Sequence, residues 1–349
     1  MIVWRLALLA CAAGATHAQS APRALPRLHH VGLNSVDPER AIDWYLHLWP
    51  AARRTTIAGQ PGVEAEMYLL FNKVDHVPVG AWRDDLHRSV PQSAFWHIGA
   101  FANTTDMAES LARIGVKHLP LFTSPDDSVG VWRSGLAPYT GTVTARQLPN
   151  VQSAAPRPGG FSYVVAPDGV LFEFTGGPDT RPSLSHVHFY HEHPQCAANW
   201  YVQHLGMELP PMRDSAGREV PRPLYNPCEA ASGEAGWPSL ERIGTMRQPN
   251  ATVRHGNGNM SFYPRQCVAG RCGNAEPLVR SRGQALDHVA FVVENLDEML
   301  VRLRSGGVRI LEGPYSFADA RAVMIEDPDG LAIELIDARG LPMPINRQP

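Results

Sequence analysis

Short apolar runs with a histidine inside them recur along the chain. Each is followed by a turn and then by apolar residues at helical spacing. Leu28-His29-His30-Val31, Phe95-Trp96-His97-Ile98, Leu184-Ser185-His186-Val187 and Leu286-Asp287-His288-Val289 open these four units. The pattern predicts a strand, a turn and an amphipathic helix each time. After His30 the helix reads Ala41-Ile42-Asp43-Trp44-Tyr45-Leu46, and after His186 it reads Ala197-Ala198-Asn199-Trp200-Tyr201-Val202, with 14 residues from histidine to tryptophan in both. The helix after His97 is predicted from Met107 to Gly115, and that after His288 from Leu296 to Gly307. Trp44, Tyr45, Trp200 and Tyr201 are expected to face the sheets as core.

The second and fourth units share an ending as well. Pro167-Asp168-Gly169-Val170-Leu171-Phe172-Glu173 matches Pro328-Asp329-Gly330-Leu331-Ala332-Ile333-Glu334 at an offset of 161 residues. Pro-Asp-Gly is a tight-turn signal, so both glutamates are placed on strands that leave a turn. The chain therefore reads as a duplicated pair of units, residues 24–180 and 181–340, joined near Gly176-Gly177-Pro178. Two long stretches rich in Pro, Gly and Ser, Leu119 to Gly160 and Pro210 to Pro249, are read as lids, binding loops or partner surfaces.

At 349 residues the chain is long enough for two domains with real cores, and 44% apolar against 19% charged residues is a soluble globular composition. A net charge of -3 without a basic run gives no reason to expect nucleic acid. Residues 1–18 have the form of a signal peptide: Arg5 supplies a positive start, Leu6 to Ala15 an apolar stretch, and Ala18 a small residue before the cut. That predicts an exported protein, periplasmic or secreted. Leu8-Leu9-Ala10-Cys11 offers lipoprotein anchoring at Cys11 as a lesser alternative. No later run reaches the ~18 apolar residues of a spanning helix, so no stable membrane insertion is expected. Export makes disulfides the natural reading of Cys196, Cys228, Cys267 and Cys272. Cys267 with Cys272 and Cys196 with Cys228 is one of the three pairings that four cysteines allow. A cysteine zinc site is the weaker rival, since no Cys-x2-Cys pair is present.

Two neutral imidazoles and a carboxylate on neighbouring strands form a ligand set for a divalent metal that leaves positions open for substrate. In the second half that set is His186, His288 and Glu334. In the first half His30, His97 and Glu173 stand at the equivalent places, as a second metal site or as a remnant of duplication held by hydrogen bonds. A lone histidine in an apolar strand is more often a packed core residue than a ligand. It is the matching repeat positions that favour ligation.

Strand–helix–strands repeated four times, with histidine on each first strand and glutamate on the last strand of each even unit, resembles the vicinal oxygen chelate superfamily. That group contains glyoxalases, fosfomycin- and bleomycin-resistance proteins and extradiol dioxygenases. The resemblance covers nearly the whole chain after residue 24. It implies an α+β fold of four βαβββ modules forming two paired-module domains, each pair's curled sheets enclosing a cleft. It further implies a divalent metal, Fe(II) or Mn(II) before Zn or Ni, and a small-molecule substrate with vicinal oxygens. His186, His288 and Glu334 match the iron positions of the four-module extradiol dioxygenases, which makes opening of a catechol-like ring the first expectation. There the metal holds both oxygens of the substrate and leaves a place for dioxygen.

Other residues are assigned around that centre. Alternation along a strand puts His186, His188 and Tyr190 on one face and His191 on the other, so His188 is a candidate proton-transfer group. His255 lies where the ring-cleaving relatives carry an acid–base histidine, though the glycines beside it also fit a plain turn. Tyr315 and Arg321 are candidates to bind an anionic or enolic oxygen. Met324 stands ten residues before Glu334, where those relatives have a tyrosine, and this departure weakens ring cleavage more than it weakens the metal. The second expectation is a glyoxalase-, isomerase- or lyase-like enzyme, with Glu64 or Glu66 as an added carboxylate. The third is a non-catalytic binding protein of the resistance type. His186-x-His188 also resembles a metallo-β-lactamase box, which would need an aspartate at Tyr190. The oligomeric state is left open.

Overall fold

The computed structural model describes residues 24–49, 51–78, 92–102, 115, 160–176, 180–229, 250–264, 278–339 and 341–344. The first module runs β1 (Arg27–Ser35), α1 (Pro38–Leu48), β2 (Arg53–Ile57), β3 (Gln60–Glu64) and β4 (Tyr68–Lys73). The second contributes β5 (Phe95–Phe101), β6 (Gly160–Val165) and β7 (Leu171–Gly176); its expected helix at 107–115 and most of the 119–160 insert lie outside the described residues. The third has β8 (Ser183–Tyr190), α2 (Pro194–Trp200), continued by one wide turn to Leu205, a small hairpin of β9 (Met212–Arg213) and β10 (Glu219–Val220), then β11 (Ala251–His255) and β12 (Gly258–Tyr263). The fourth has β13 (Leu286–Val293), α3 (Leu296–Ser305), β14 (Arg309–Phe317), β15 (Ala320–Glu326) and β16 (Ala332–Asp337).

Local chemistry explains these boundaries. The Asp37 side chain caps α1 by accepting from the Arg40 N–H at 3.2 Å, with Pro38 in the first turn. Asn295 caps α3 through the Glu298 N–H at 3.1 Å, and acids at the start with arginines at the end suit the helix dipole. Both Pro-Asp-Gly turns form, with Gly169 at φ 77° and Gly330 at φ 90°, conformations that L side chains resist. Tyr45 and Tyr201 are buried and Trp44 and Trp200 pack against the same core, as expected.

The fold is mixed α+β, rich in sheet, but the modules pair differently from the expectation. One sheet runs β14-β15-β16-β13-β1-β4-β3-β2 and the other β11-β12-β8-β5-β7-β6. The first module joins the fourth through antiparallel β1 and β13, and the second joins the third through antiparallel β5 and β8. Residues 24–180 and 181–340 therefore do not each close a sheet of their own. The cause lies in the facing residues. Gly32 sits opposite His288, and Gly99 opposite His186. A Cβ on Gly32 would fall 2.0 Å from the His288 ring, and one on Gly99 2.2 Å from the His186 ring. Each histidine ring thus lies over a partner strand that has no side chain there. Neither β8 nor β13 carries such a glycine, so they could not offer one another this space.

Val31, Leu33, Val289 and Phe291 on one face of the larger sheet join the main core, which also takes Phe172, Phe189 and Phe262 of the smaller sheet. His30 and His288 project from the opposite face, where Tyr68, Ala290, Phe317 and Ile336 form a second apolar cluster. A buried ionic contact ties the sheets together. His191, at the end of β8, reaches Asp327 Oδ2 at 3.0 Å and Asp329 Oδ2 at 2.5 Å, both on the turn before β16. Tyr201 donates to the same Asp327 oxygen at 2.9 Å. Cys196 and Cys228 are disulfide-bonded, fastening α2 to the loop that follows β10; Cys267 and Cys272 lie outside the described residues, as do residues 1–23. No described helix is long and apolar enough to cross a membrane.

Candidate metal centres

Among the described residues two clusters of side chains able to hold a metal result, one on each sheet: His30, His288 and Glu334 on the larger, and His97, Glu173, His186 and His188 on the smaller. All six histidines and glutamates singled out for ligation fall in these clusters, but their grouping is corrected. His186 does not meet His288 and Glu334; it joins His97 and Glu173, and His30 takes its place. Repeats locate the histidines, whereas strand pairing decides which of them share a site.

In the first cluster the register aligns Glu334, Ala290 and His30 across three adjacent strands, with His288 one residue pair along. His30 Nε2 lies 3.1 Å from His288 Nε2 and 3.2 Å from Glu334 Oε2, and His288 Nε2 lies 4.0 Å from the same oxygen. Hydrogen bonds at the far side of each ring assign the tautomers. Pro342 O can only accept, so His29 Nε2, 3.1 Å away, carries a proton. Burial, against the pull of the Pro342 hydrogen bond, lowers the His29 pKa to about 4, so its ring is neutral and Nδ1 is bare. His30 Nδ1, 2.8 Å from His29 Nδ1, must then be the donor, which leaves His30 Nε2 with a lone pair.

His288 is fixed in the same way. Its Nδ1 donates to Asp287 Oδ1 at 2.7 Å, so a neutral ring also turns a bare Nε2 toward the cluster. Asp287 is itself held by Arg282 at 2.6 Å and the Gly283 N–H at 2.7 Å. Burial pushes the Asp287 carboxyl up, but the hydrogen bond from His288, the nearby Arg282 charge and the Gly283 N–H hold it at about 2. Glu334 accepts from the Tyr315 hydroxyl on Oε1 at 2.5 Å, while its buried Oε2 accepts no hydrogen bond. Burial above all keeps His30 well below its ordinary value, and any proton added to His29 or His288 beside it would lower it further. Two imidazole lone pairs and one unshared carboxylate oxygen thus converge with no donor among them. That arrangement costs free energy without a cation, and a divalent metal fits it. Asp287→Asn is expected to weaken metal binding roughly 10–100-fold, as loss of a ligand-orienting partner does elsewhere, measured by chelator competition.

In the second cluster His186 Nε2 lies 2.7 Å and His97 Nε2 3.3 Å from Glu173 Oε2. Burial would raise the Glu173 carboxyl, but the His97 charge and the hydrogen bonds of His186 and His97 take it well below its ordinary value. Glu334 goes the other way, raised by burial despite His288 and Tyr315.

The remaining assignments divide. Tyr315 is at the first cluster, bound to Glu334, and burial followed by the Glu334 charge raises its pKa so that it stays a donor. Arg321 is a correction. It is ion-paired with Asp297 at 2.7 Å on the exterior, because it alternates outward from β15. His255 is the other. It is buried against Phe291, which faces away from His288 on β13, and its Nδ1 lies 2.9 Å from Asn257 Oδ1. Burial, against the Asn257 hydrogen bond, lowers its pKa to about 4. It supports the hairpin whose Asn257 holds Leu28 rather than the metal ligands. His29, Asp287, Gly32 and Gly99 escaped the sequence reading. The signal was there: a glycine two residues after the histidine occurs only in the first and second openings.

Residues 183–335 match the family model described as the Glyoxalase/Bleomycin resistance protein/Dioxygenase superfamily. A lactoylglutathione lyase of Salmonella typhimurium is 37% identical over 59 residues, which is 16% of this chain and 44% of that protein. The chain thus spans less than half the length of the curated relatives it matches. Among solved structures, glyoxalase I from Zea mays is similar with a TM-score of 0.54 at 14% identity, over 89% of this chain and 92% of that one. That likeness concerns the fold.

Proposed function

Starting from residues 183–335 as a domain of the glyoxalase/bleomycin resistance protein/dioxygenase superfamily, we propose that this protein is a metal-dependent enzyme that oxygenates a small, catechol-like molecule at the His30–His288–Glu334 centre. The observation that carries the reading is the convergence of His30 Nε2, His288 Nε2 and Glu334 Oε2 without a donor. Two histidines and one carboxylate with open positions are the ligand set of non-haem Fe(II) oxygenases, with Mn(II) close in chemistry. A metal bound there would bring the two vicinal oxygens of the substrate and dioxygen to one Lewis-acidic point.

The chain's own groups do the rest. Asp287 and the His29–Pro342 contact hold the two rings in their ligating tautomers. Tyr315 occupies Glu334 Oε1 and so presents Oε2 inward. Phe317 stacks on His30 at 8° between planes, and Tyr68, Ile57, Leu341 and Met343 belong to the same apolar cluster, so the centre has an apolar surrounding. An exported setting is supported by the Cys196–Cys228 bond, which oxidising compartments favour.

A lyase or isomerase is the second reading, favoured by the lactoylglutathione lyase match. It calls for a further carboxylate, and the two candidates are engaged elsewhere. Glu64 is paired with Arg53 at 2.9 Å, and Glu66 accepts from the Leu184 N–H at 2.9 Å. The deciding experiment is reconstitution with Fe(II), Mn(II), Zn(II) or Ni(II), followed by oxygen uptake with a panel of catechols and by conversion of 2-oxoaldehyde–thiol adducts. Uptake confined to Fe(II) or Mn(II) protein and lost on chelation is expected. Turnover of the adducts by Zn(II) or Ni(II) protein without oxygen uptake would establish the second reading instead. Ligand binding without any turnover would leave a resistance-type binding protein.

A further inference from the structure

The two clusters differ by one donor. Matching β1 with β8 places His30 against His186, and Gly32 against His188. Where the larger sheet has a glycine, the smaller one has a third histidine and so a fourth donor. His188 follows His186 by two residues on β8, so both rings leave the same face. Antiparallel pairing sets His188 opposite His97 and Gly99 opposite His186. The His188 ring centroid lies 4.6 Å from that of His186 and 4.7 Å from that of His97. One ligand atom from each of His97, Glu173, His186 and His188 can be chosen so that all four lie within 4.8 Å of one another. Tyr263 lies 5.2 Å from the His188 ring, and Trp96, stacked on Tyr190 at 4.6 Å, lies 6.3 Å from it.

Three protein donors leave a metal open to substrate, whereas four imidazole and carboxylate donors complete a tetrahedral shell. We propose that His97, Glu173, His186 and His188 form a second metal centre of different chemistry, a closed four-donor site that selects Zn(II) and clasps the β5–β8 seam without taking part in turnover. Its ligands come from both strands of that seam, so a bound ion joins the second module to the third. This rests on the reading of the His30 cluster as the reactive centre, but its test is separable from that reading.

The experiment uses the full chain, with Glu334→Ala to disable the first cluster. Zinc is counted by elemental analysis and its affinity measured by competition with a chromophoric chelator. Co(II) then reports the geometry, since four-coordinate Co(II) has far stronger visible bands than five- or six-coordinate Co(II). Glu334→Ala is expected to keep one Zn(II) and the strong Co(II) bands. Adding His188→Ala is expected to weaken that zinc at least roughly 100-fold, beyond what loss of a supporting partner costs, and to collapse the bands. His188→Cys restores a donor, so it should retain tight zinc and add a thiolate-to-Co(II) charge-transfer band even if the alanine variant folds poorly. No zinc in Glu334→Ala would overturn the proposal, as would His188→Ala with unchanged affinity and spectrum or His188→Cys without the new band. A wild-type chain holding a single zinc, lost with His188→Ala but kept in Glu334→Ala, would uphold this site and sink the reactive role of the first.

Discussion

Gly32→Ala is expected to empty the His30–His288–Glu334 centre and abolish its activity, although it adds a single methyl group. The new Cβ would lie 2.0 Å from His288 Cε1, 2.4 Å from its Nδ1 and 2.6 Å from its Nε2. No relaxation of a few tenths of an ångström relieves three such contacts, so the ring must swing off β1. Doing so breaks the 2.7 Å bond to Asp287 and removes Nε2 from the point it shares with His30. Overpacking of this kind costs about 1–3 kcal/mol in stability, which a chain of this size can survive folded. The chemistry loses far more, since a ligand displaced by an ångström no longer binds. Gly99→Ala is the reciprocal variant, because its Cβ would fall 2.2 Å from His186 Nε2 in the other cluster. Metal content, activity and circular dichroism of both variants are the measurements. A Gly32→Ala protein that keeps its metal and its rate would refute the geometry claimed for the site.

His191→Phe is expected to destabilise the fold by about 3–5 kcal/mol, the range for removing one partner of a buried ion pair. The phenyl ring fills similar space, but Asp327 and Asp329 lose their countercharge while Asp327 stays buried. The loss carries a pH signature. Burial alone would lower the His191 pKa, but the Asp327 charge, its hydrogen bond and those of Asp329 outweigh it and raise the value from 6.5 to about 10. The folded state therefore holds this proton more tightly than the unfolded one. The resulting stabilisation is full below pH 6.5 and is lost as pH rises toward about 10. Asp329 contributes with the opposite sign. Burial raises its pKa, but the His191 hydrogen bond and charge lower it below 3.8, so its share is lost as pH falls through the folded value. Denaturant unfolding across pH 4 to 10 should show wild-type stability declining on the alkaline side, with a flatter profile for His191→Phe. Parallel profiles would mean that the contact carries no charge.

Much of the site was legible because strand chemistry is local. A histidine inside an apolar run, and a glutamate two strand residues after a Pro-Asp-Gly turn, reveal their positions by repetition. That is enough to single out His30, His97, His186, His288, Glu173 and Glu334. It also points to the superfamily resemblance, which the match over residues 183–335 supports. His255 and Arg321 misled because their assignment rested on order along the chain. His255 is on the wrong face of the neighbouring sheet, and Arg321 alternates outward to Asp297.

The sequence alone determined the mixed α+β class and which histidines and glutamates stand in the two clusters, since each follows from residue types within a few positions of one another. Tertiary structure decided which ligands meet. Module-to-module pairing depends on contacts some 90 to 260 residues apart, and there a ring finds room only over a missing Cβ, at Gly32 for His288 and at Gly99 for His186. The same pairing gives one cluster three donors and the other four. The extra donor, His188, is written in β8 itself, but only the pairing of β8 with β5 brings it to His97 and Glu173.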